Sequence, residues 1–305
     1  MRKTKFFAAL CCTAMLFAAC EKSEPVNVDN QDKMPDANVE YTLTVLSANS
    51  SLGTVSGSGR YTLGTNVKII ATPTKNAEFK SWSDCNVVDT MRIITLTSDS
   101  IITATFKERS NGVTNDHEWV NLGLSVKWAT CNVGATTPED YGDYYAWGEI
   151  ATKNTYNWST YTLANGNYDA LTKYCNSSSY GTVDNKTTLE AADDAATQNW
   201  GGNWRMPTND EWQELKDNCT WTWTTKNSVN GYEVKATNGN SIFLPAAGYR
   251  FDGELDLAGS CGYYWSSSLS VFNPYVAQCM LFDSGYHRTN DDYRDYGLSV
   301  RPVCK

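Results

Sequence analysis

Between Tyr41 and Phe106 the apolar side chains fall at every second position in several short segments, and this period of two constrains the fold more than any other feature. Tyr41, Leu43 and Val45 form one such set, Val67, Ile69 and Ala71 a second, Ile94 and Leu96 a third, and Ile102, Ala104 and Phe106 a fourth. Alternate side chains on a strand share a face, and an apolar face has to be covered. The pattern therefore predicts short, half-buried antiparallel strands. Gly53, Gly57, Gly59 and Gly64 punctuate the turns, while Phe79 and Trp82 supply bulk for a small core. No acid, base and nucleophile occur together here, so a non-catalytic spacer is expected.

The start of the chain carries a different kind of signal. Arg2, Lys3 and Lys5 precede an apolar run from Phe6 to Ala19 that closes on Phe17-Ala18-Ala19-Cys20. The run falls short of the roughly 20 apolar residues needed to span a bilayer, and small residues stand where a signal peptidase cuts. This layout resembles a bacterial lipoprotein signal. The resemblance implies that residues 1–19 are removed, that Cys20 is lipidated, and that the acyl chains alone tie the protein to an outer membrane, exposed at the cell surface. Residues 20–39, polar and carrying Pro25 and Pro35, are expected to form a flexible linker.

With 305 residues, 41% of them hydrophobic, the remainder has room for folded domains rather than disorder. A formal net charge of -9 and the lack of any basic stripe argue against nucleic acid, whose phosphates are met by clustered Lys and Arg. The seven cysteines beyond Cys20 contain no CxxC pair, so zinc is disfavoured, and an odd number leaves at least one thiol unpaired. Eighteen Tyr and eleven Trp are a heavy load, the kind that recurs in ligand-contacting surfaces as well as in cores.

Residues 40–108 also contain Gly53-Thr-Val-Ser-Gly57, Phe79-Lys-Ser-Trp82 and a closing Ile102-Thr-Ala-Thr-Phe106. Together these resemble the divergent internalin-type B-repeat of bacterial surface proteins, which implies a stalk. A polar break at 109–116 is expected to be a linker. Beyond it, helical signals appear at Leu189, Ala192 and Ala196 after Thr188, stopped by Gly201-Gly202, and at Thr208 with Glu211, a capping box ahead of Trp212, Leu215 and Cys219. Strand-like runs follow at 241–244, 263–265, 277–282 and 298–303, so residues 117–305 read as an α+β domain. Five runs occur there in order: Trp119 to Gly134, Trp204 to Trp212, Leu244 to Arg250, Gly262 to Ser267, and Gly297 to Val303. They resemble the Fibrobacter succinogenes major paralogous domain of Bacteroidetes surface lipoproteins. That resemblance implies a C-type-lectin-like fold, related to the formylglycine-generating enzymes, with neighbouring chain ends and a large irregular loop region.

Catalytic parts are missing. An oxidase of the formylglycine-generating kind needs two close thiolates near the C-terminus to hold copper, and Cys261, Cys279 and Cys304 are too far apart in sequence. His117 and His287, the two histidines, lie in no HxH or HExxH context. No enzyme activity, cofactor or metal is expected. The better signal lies in the stretch 264–294, where Tyr264, Phe272, Asn273, Tyr275, Tyr286, His287, Arg288, Asn290, Asp291, Tyr293 and Arg294 mix flat rings with directional polar groups. Such a mixture on a firm scaffold suits a glycan or protein ligand. In similar lectin-fold proteins this stretch is a diversified variable region. An adhesin or ligand-binding protein is the first expectation, a structural part of an envelope or pilus-like complex the alternative. Trp128, Trp204, Trp212 and Trp265 are expected to be structural.

Overall fold

The computed structural model describes residues 39–305; Cys20 and the signal and linker segments lie outside the described residues. The first module is all β. Strands β1 (Glu40–Ser47), β3 (Gly59–Thr62), β5 (Ala77–Trp82) and β7 (Ser100–Glu108) make one sheet in the order β3-β1-β7-β5. A second sheet runs β2-β4-β6, from β2 (Gly53–Ser56), β4 (Asn66–Pro73) and β6 (Met91–Thr95). The alternating sets face each other across the gap: Leu43, Val45, Val67, Ile69, Ala71, Ile102, Ala104 and Phe106 join Trp82 and Leu96 in one core. One pairing departs from the antiparallel expectation, because β1 and β7 run parallel, Val45 opposite Ile102. Periodicity reports which face is buried and carries no information on strand direction.

Residues 109–116, expected to be a linker, instead begin the second module. Asn111–Thr114 is strand β8, paired with β9 (His117–Val120), and Asn115 and Asp116 turn the hairpin with φ of 47° and 65°. Two residues at positive φ make the tight hairpin turn that Asn and Asp tolerate. Gly112 is needed there, since a Cβ would collide with the Trp119 ring.

The second module combines two helices with several sheets. Strand β10 (Lys127–Ala129) pairs with β9 on one side and on the other with β21 (Val303–Cys304), the last strand of the chain. From 130 to 188 the backbone is largely irregular, broken by the two-residue β11 (Tyr144–Tyr145). A 3-10 turn at Ala191–Asp193 leads into α1 (Ala195–Trp200), and α2 covers Asn209–Asn218. Helix α1 starts later than Thr188 suggests: buried Asp194 is its cap, accepting from Thr197 N at 2.9 Å and also from Met206 N at 2.9 Å. Gly201 ends α1, and the Thr208–Glu211 capping box opens α2, both as expected. Cys219 falls at the end of α2 rather than on its buried stripe.

A three-stranded sheet, β12 (Cys219–Lys226), β13 (Val229–Ala236) and β14 (Ser241–Pro245), then gives way to the small hairpin β15 (Tyr249–Phe251) and β16 (Glu254–Asp256). The central sheet has the order β11-β20-β17-β18-β19, with β17 (Cys261–Leu269), β18 (Val276–Asp283), β19 (His287–Tyr293) and β20 (Leu298–Ser299). It is buried on both faces. Tyr264, Met280 and Phe282 pack with Trp128, Trp212 and Val234 on one side, and Trp265, Ala277 and Cys279 with Trp147 and Trp204 on the other. The four tryptophans expected to be structural are indeed buried. Their indoles also tie elements together, Trp265 Nε1 donating to Tyr145 O at 2.7 Å and Trp204 Nε1 to Thr114 O at 2.8 Å. The seven cysteines among the described residues are all unpaired.

Candidate functional site: an aromatic ribbon on the edge of the central sheet

The stretch singled out in the sequence is a hairpin. Its second arm, β19, is the open edge of the central sheet, held to β18 from Phe282↔His287 to Val276↔Tyr293. Because side chains alternate along a strand, the candidate residues divide between two faces and do not form one surface.

Two of them are buried. Tyr264 lies in the core, its hydroxyl donating to Pro245 O at 2.7 Å. Arg294 is fully buried as well. Its guanidinium donates to the carbonyls of Pro274 (2.8 Å), Tyr174 (3.1 Å) and Lys173 (3.1 Å) and to the Tyr161 hydroxyl (2.9 Å). It also lies over the Trp147 ring at 4.8 Å. Neither side chain can meet a ligand from outside, and Arg294 instead staples the irregular loops to the sheet. The Tyr-Arg-rich composition of the segment does not distinguish an arginine at the surface from one that caps buried carbonyls.

His287 faces the β12–β13 side. Its ring stacks on Trp221 with centroids 4.6 Å apart and planes 6° apart, and burial, followed by the neighbouring Lys216, holds its pKa below the ordinary value. Asp291 accepts from the Ser270 hydroxyl at 2.6 Å and anchors the loop before β18. Asn273 turns that loop, its carbonyl accepting from Val276 N at 3.3 Å. At the loop's tip Phe272 is 80% exposed, the most open large apolar side chain among the described residues. Tyr286 and Arg288 are exposed at the other end of β19, the guanidinium over the ring at 5.2 Å.

Tyr275 and Tyr293 mark the feature that matters most. They stack with centroids 6.1 Å apart, and each continues into further rings. On one side Tyr275 meets Tyr168 at 5.5 Å and Tyr180 at 5.1 Å, and Tyr168 meets Trp158 at 6.4 Å. On the other, Tyr293 meets Tyr296 at 5.5 Å, Tyr296 stacks on Tyr249 at 5.5 Å, and Tyr249 meets Tyr263 at 5.0 Å. The result is an unbroken ribbon of rings drawn from the irregular loop, strands β15, β17 and β19, the loop before β18 and the turn after β19. Tyr168 and Tyr293 remain 44% and 45% exposed, so its middle is open to a partner. Sequence reasoning found Tyr275 and Tyr293 but missed Tyr168, Tyr180, Tyr249, Tyr263 and Tyr296. Their only sequence signal is the high tyrosine count, because the spacing that unites them is made by the fold.

The carboxyls beside the ribbon are unusual. Burial pushes Asp292 up to about 6, against which the backbone N–H of Tyr293 pulls it down, and burial pushes Asp295 up to about 7, opposed by a backbone hydrogen bond and Lys153. Asp295 is only 1% exposed, and among the described residues its Oδ1 has no hydrogen-bond partner. Elsewhere acidic groups are engaged in turns: Asp140 accepts from Thr137 N at 2.9 Å. Among the described residues no three His, Cys, Asp or Glu side chains converge in a way suited to a metal ion. No helix among them is long and apolar enough to cross a membrane.

Residues 41–110 match the divergent InlB B-repeat domain family. The first module is therefore a B-repeat domain, and the match ends at the residue before β8. No curated protein and no solved structure matches the chain.

Proposed function

We propose that this protein is a lipid-anchored outer-membrane protein, exposed at the cell surface, that binds a glycan or protein ligand through the second module. In this reading Cys20 is the anchor, residues 21–39 the tether, the B-repeat domain a stalk, and the second module a C-type-lectin-like domain without enzymatic activity. Two observations favour the lectin-like assignment. The opening strands of the module lie beside its last strand, Lys127 opposite Cys304, and a long irregular region between 130 and 188 is built onto one side.

The observation that carries the binding role is the ribbon of tyrosines. Rings that are partly open, contiguous and held by a packed sheet offer flat apolar area at little entropic cost, with hydroxyls left to choose a partner. Oriented rings also fit the faces of sugars and of extended peptides.

The test is binding of the purified protein to a panel of mucin and microbial glycans, beside the Tyr275→Ala/Tyr293→Ala variant. Binding that disappears in a variant of unchanged fold supports the reading. Glycan binding that survives the double substitution overturns it, and co-purification with one fixed protein in place of glycan binding transfers the same face to an assembly role.

A further inference from the structure

Strand β19 carries Arg288, Asn290 and Asp292 at alternate positions, so the three side chains leave the same face of the sheet. Strand register sets them beside that face's large rings: Arg288 lies across Leu281 from Tyr263, and Asn290 across Cys279 from Trp265. Tyr249 and Tyr296 pack over the same face and close one side of the row. Asn290 gives one amide hydrogen to Asp291 O at 2.9 Å, but Arg288 and Asp292 keep polar capacity unspent among the described residues. Arg288 forms no salt bridge or hydrogen bond through its guanidinium among the described residues; its contact there is with the Tyr286 ring at 5.2 Å. Asp292 accepts from Tyr293 N at 2.9 Å through one oxygen, leaving the other free among the described residues.

We infer that Arg288, Asn290 and Asp292, with the Tyr249–Tyr263–Tyr296 rings, form a subsite for a short neutral saccharide laid along β19 at this end of the ribbon. The inference rests on the ligand-binding reading above and names the ligand class. A sugar hydroxyl both donates and accepts, so hydroxyls of successive residues of a saccharide can serve the Asp292 carboxylate and the Asn290 and Arg288 donors in turn. The C–H face of the ring covers tyrosine, as apolar area does elsewhere. A cation would satisfy Asp292 and leave Arg288 without an acceptor. An anion would pair with Arg288 but meet the Asp292 carboxylate in the same row, an arrangement that repels it.

The experiment is titration calorimetry of the purified protein with neutral hexose- and N-acetylhexosamine-terminated mucin oligosaccharides and with their sialylated forms. Arg288→Ala, Asp292→Ala and Asp292→Asn are compared with Tyr275→Ala/Tyr293→Ala; Arg288 is exposed, so its replacement leaves the fold intact. The expected result is tighter binding of the neutral sugars, cut about tenfold by Arg288→Ala or Asp292→Ala and less by Asp292→Asn. Wild-type affinity in the Arg288 and Asp292 variants, or preference for the sialylated forms, overturns the subsite. If those variants bind normally while the tyrosine pair fails, the subsite falls and the ribbon stands. If every variant binds the sugars normally, both fall.

Discussion

The B-repeat module and the second module reach stability by different routes. In the first, the strands spend their backbone groups on one another and the interior is a short list of apolar side chains, Val45, Val67, Ile69, Ala104 and Phe106 among them. In the second, the stretch 130–190 between β10 and the helices has little regular structure, so its carbonyls need other donors. Two fully buried arginines supply some of them and tie the region to the neighbouring strands. Arg294 serves three carbonyls and the Tyr161 hydroxyl, while Arg301 donates to Asn132 Oδ1 at 2.8 Å and to the carbonyls of Thr130 (2.8 Å), Phe243 (3.0 Å) and Ala129 (3.1 Å). The second module holds its irregular region in part with buried cationic staples; the first needs only alternation.

That contrast is most exposed to failure at Arg301. Arg301→Met removes one cation and orphans several buried acceptors, and the expected cost is about 4 kcal/mol or more. Chemical denaturation should show the second module unfolding first while the B-repeat transition is unchanged. A loss below about 1 kcal/mol would mean that water replaces the guanidinium and that the staple is dispensable. The counterpart in the first module is Ile69→Ala, which leaves a cavity in a fully buried site and should cost about 3 kcal/mol. Hydrogen exchange should then accelerate in β1–β7 and not in β17–β19. Acceleration in both would show that the modules unfold as one.

Asp295 sharpens the difference further, since the second module tolerates a buried carboxyl that the first has no counterpart for among its buried side chains. In the folded state this group holds its proton until about pH 7, and in the unfolded chain until about pH 4. Folding therefore takes up a proton between those values, and stability declines as pH rises through that window, with the full penalty above it. Asp295→Asn should stabilise the protein by about 2 kcal/mol at pH 8 and by almost nothing below pH 4. Equal effects at both pH values in a thermal melt would show that burial of the charge is not the cause. The smallest effect belongs to the α2 cap, where Thr208→Ala should cost about 1 kcal/mol with no change at pH extremes specific to the site.

The same contrast explains what was legible beforehand. Alternation located the β1, β4 and β7 faces residue by residue, because burial in a two-sheet sandwich leaves a period of two in the chain. The capping box at Thr208 and the stop at Gly201 were readable for an equally local reason. Strand β8 was not, since Asn115-Asp116 looks like any polar break until it is seen as a two-residue turn between paired strands. The site was half legible. Tyr275, Tyr293, Phe272 and Arg288 are available at the surface, but Arg294 and Tyr264 have the same residue chemistry and point inward. Nothing in local spacing separates Arg288 from Arg294; only the carbonyls of Lys173, Tyr174 and Pro274, the first two more than a hundred positions away, decide which one is buried.

The most direct test of the ribbon is hydroxyl-radical footprinting of the purified protein with and without mucin oligosaccharides. Protection should appear at Tyr168, Tyr275 and Tyr293 and extend toward Tyr249 and Tyr286, leaving Trp221, Trp223 and the B-repeat module unchanged. Protection centred on the Trp221–His287 stack across the sheet, or on the first module, would contradict a binding face built on the edge of β19.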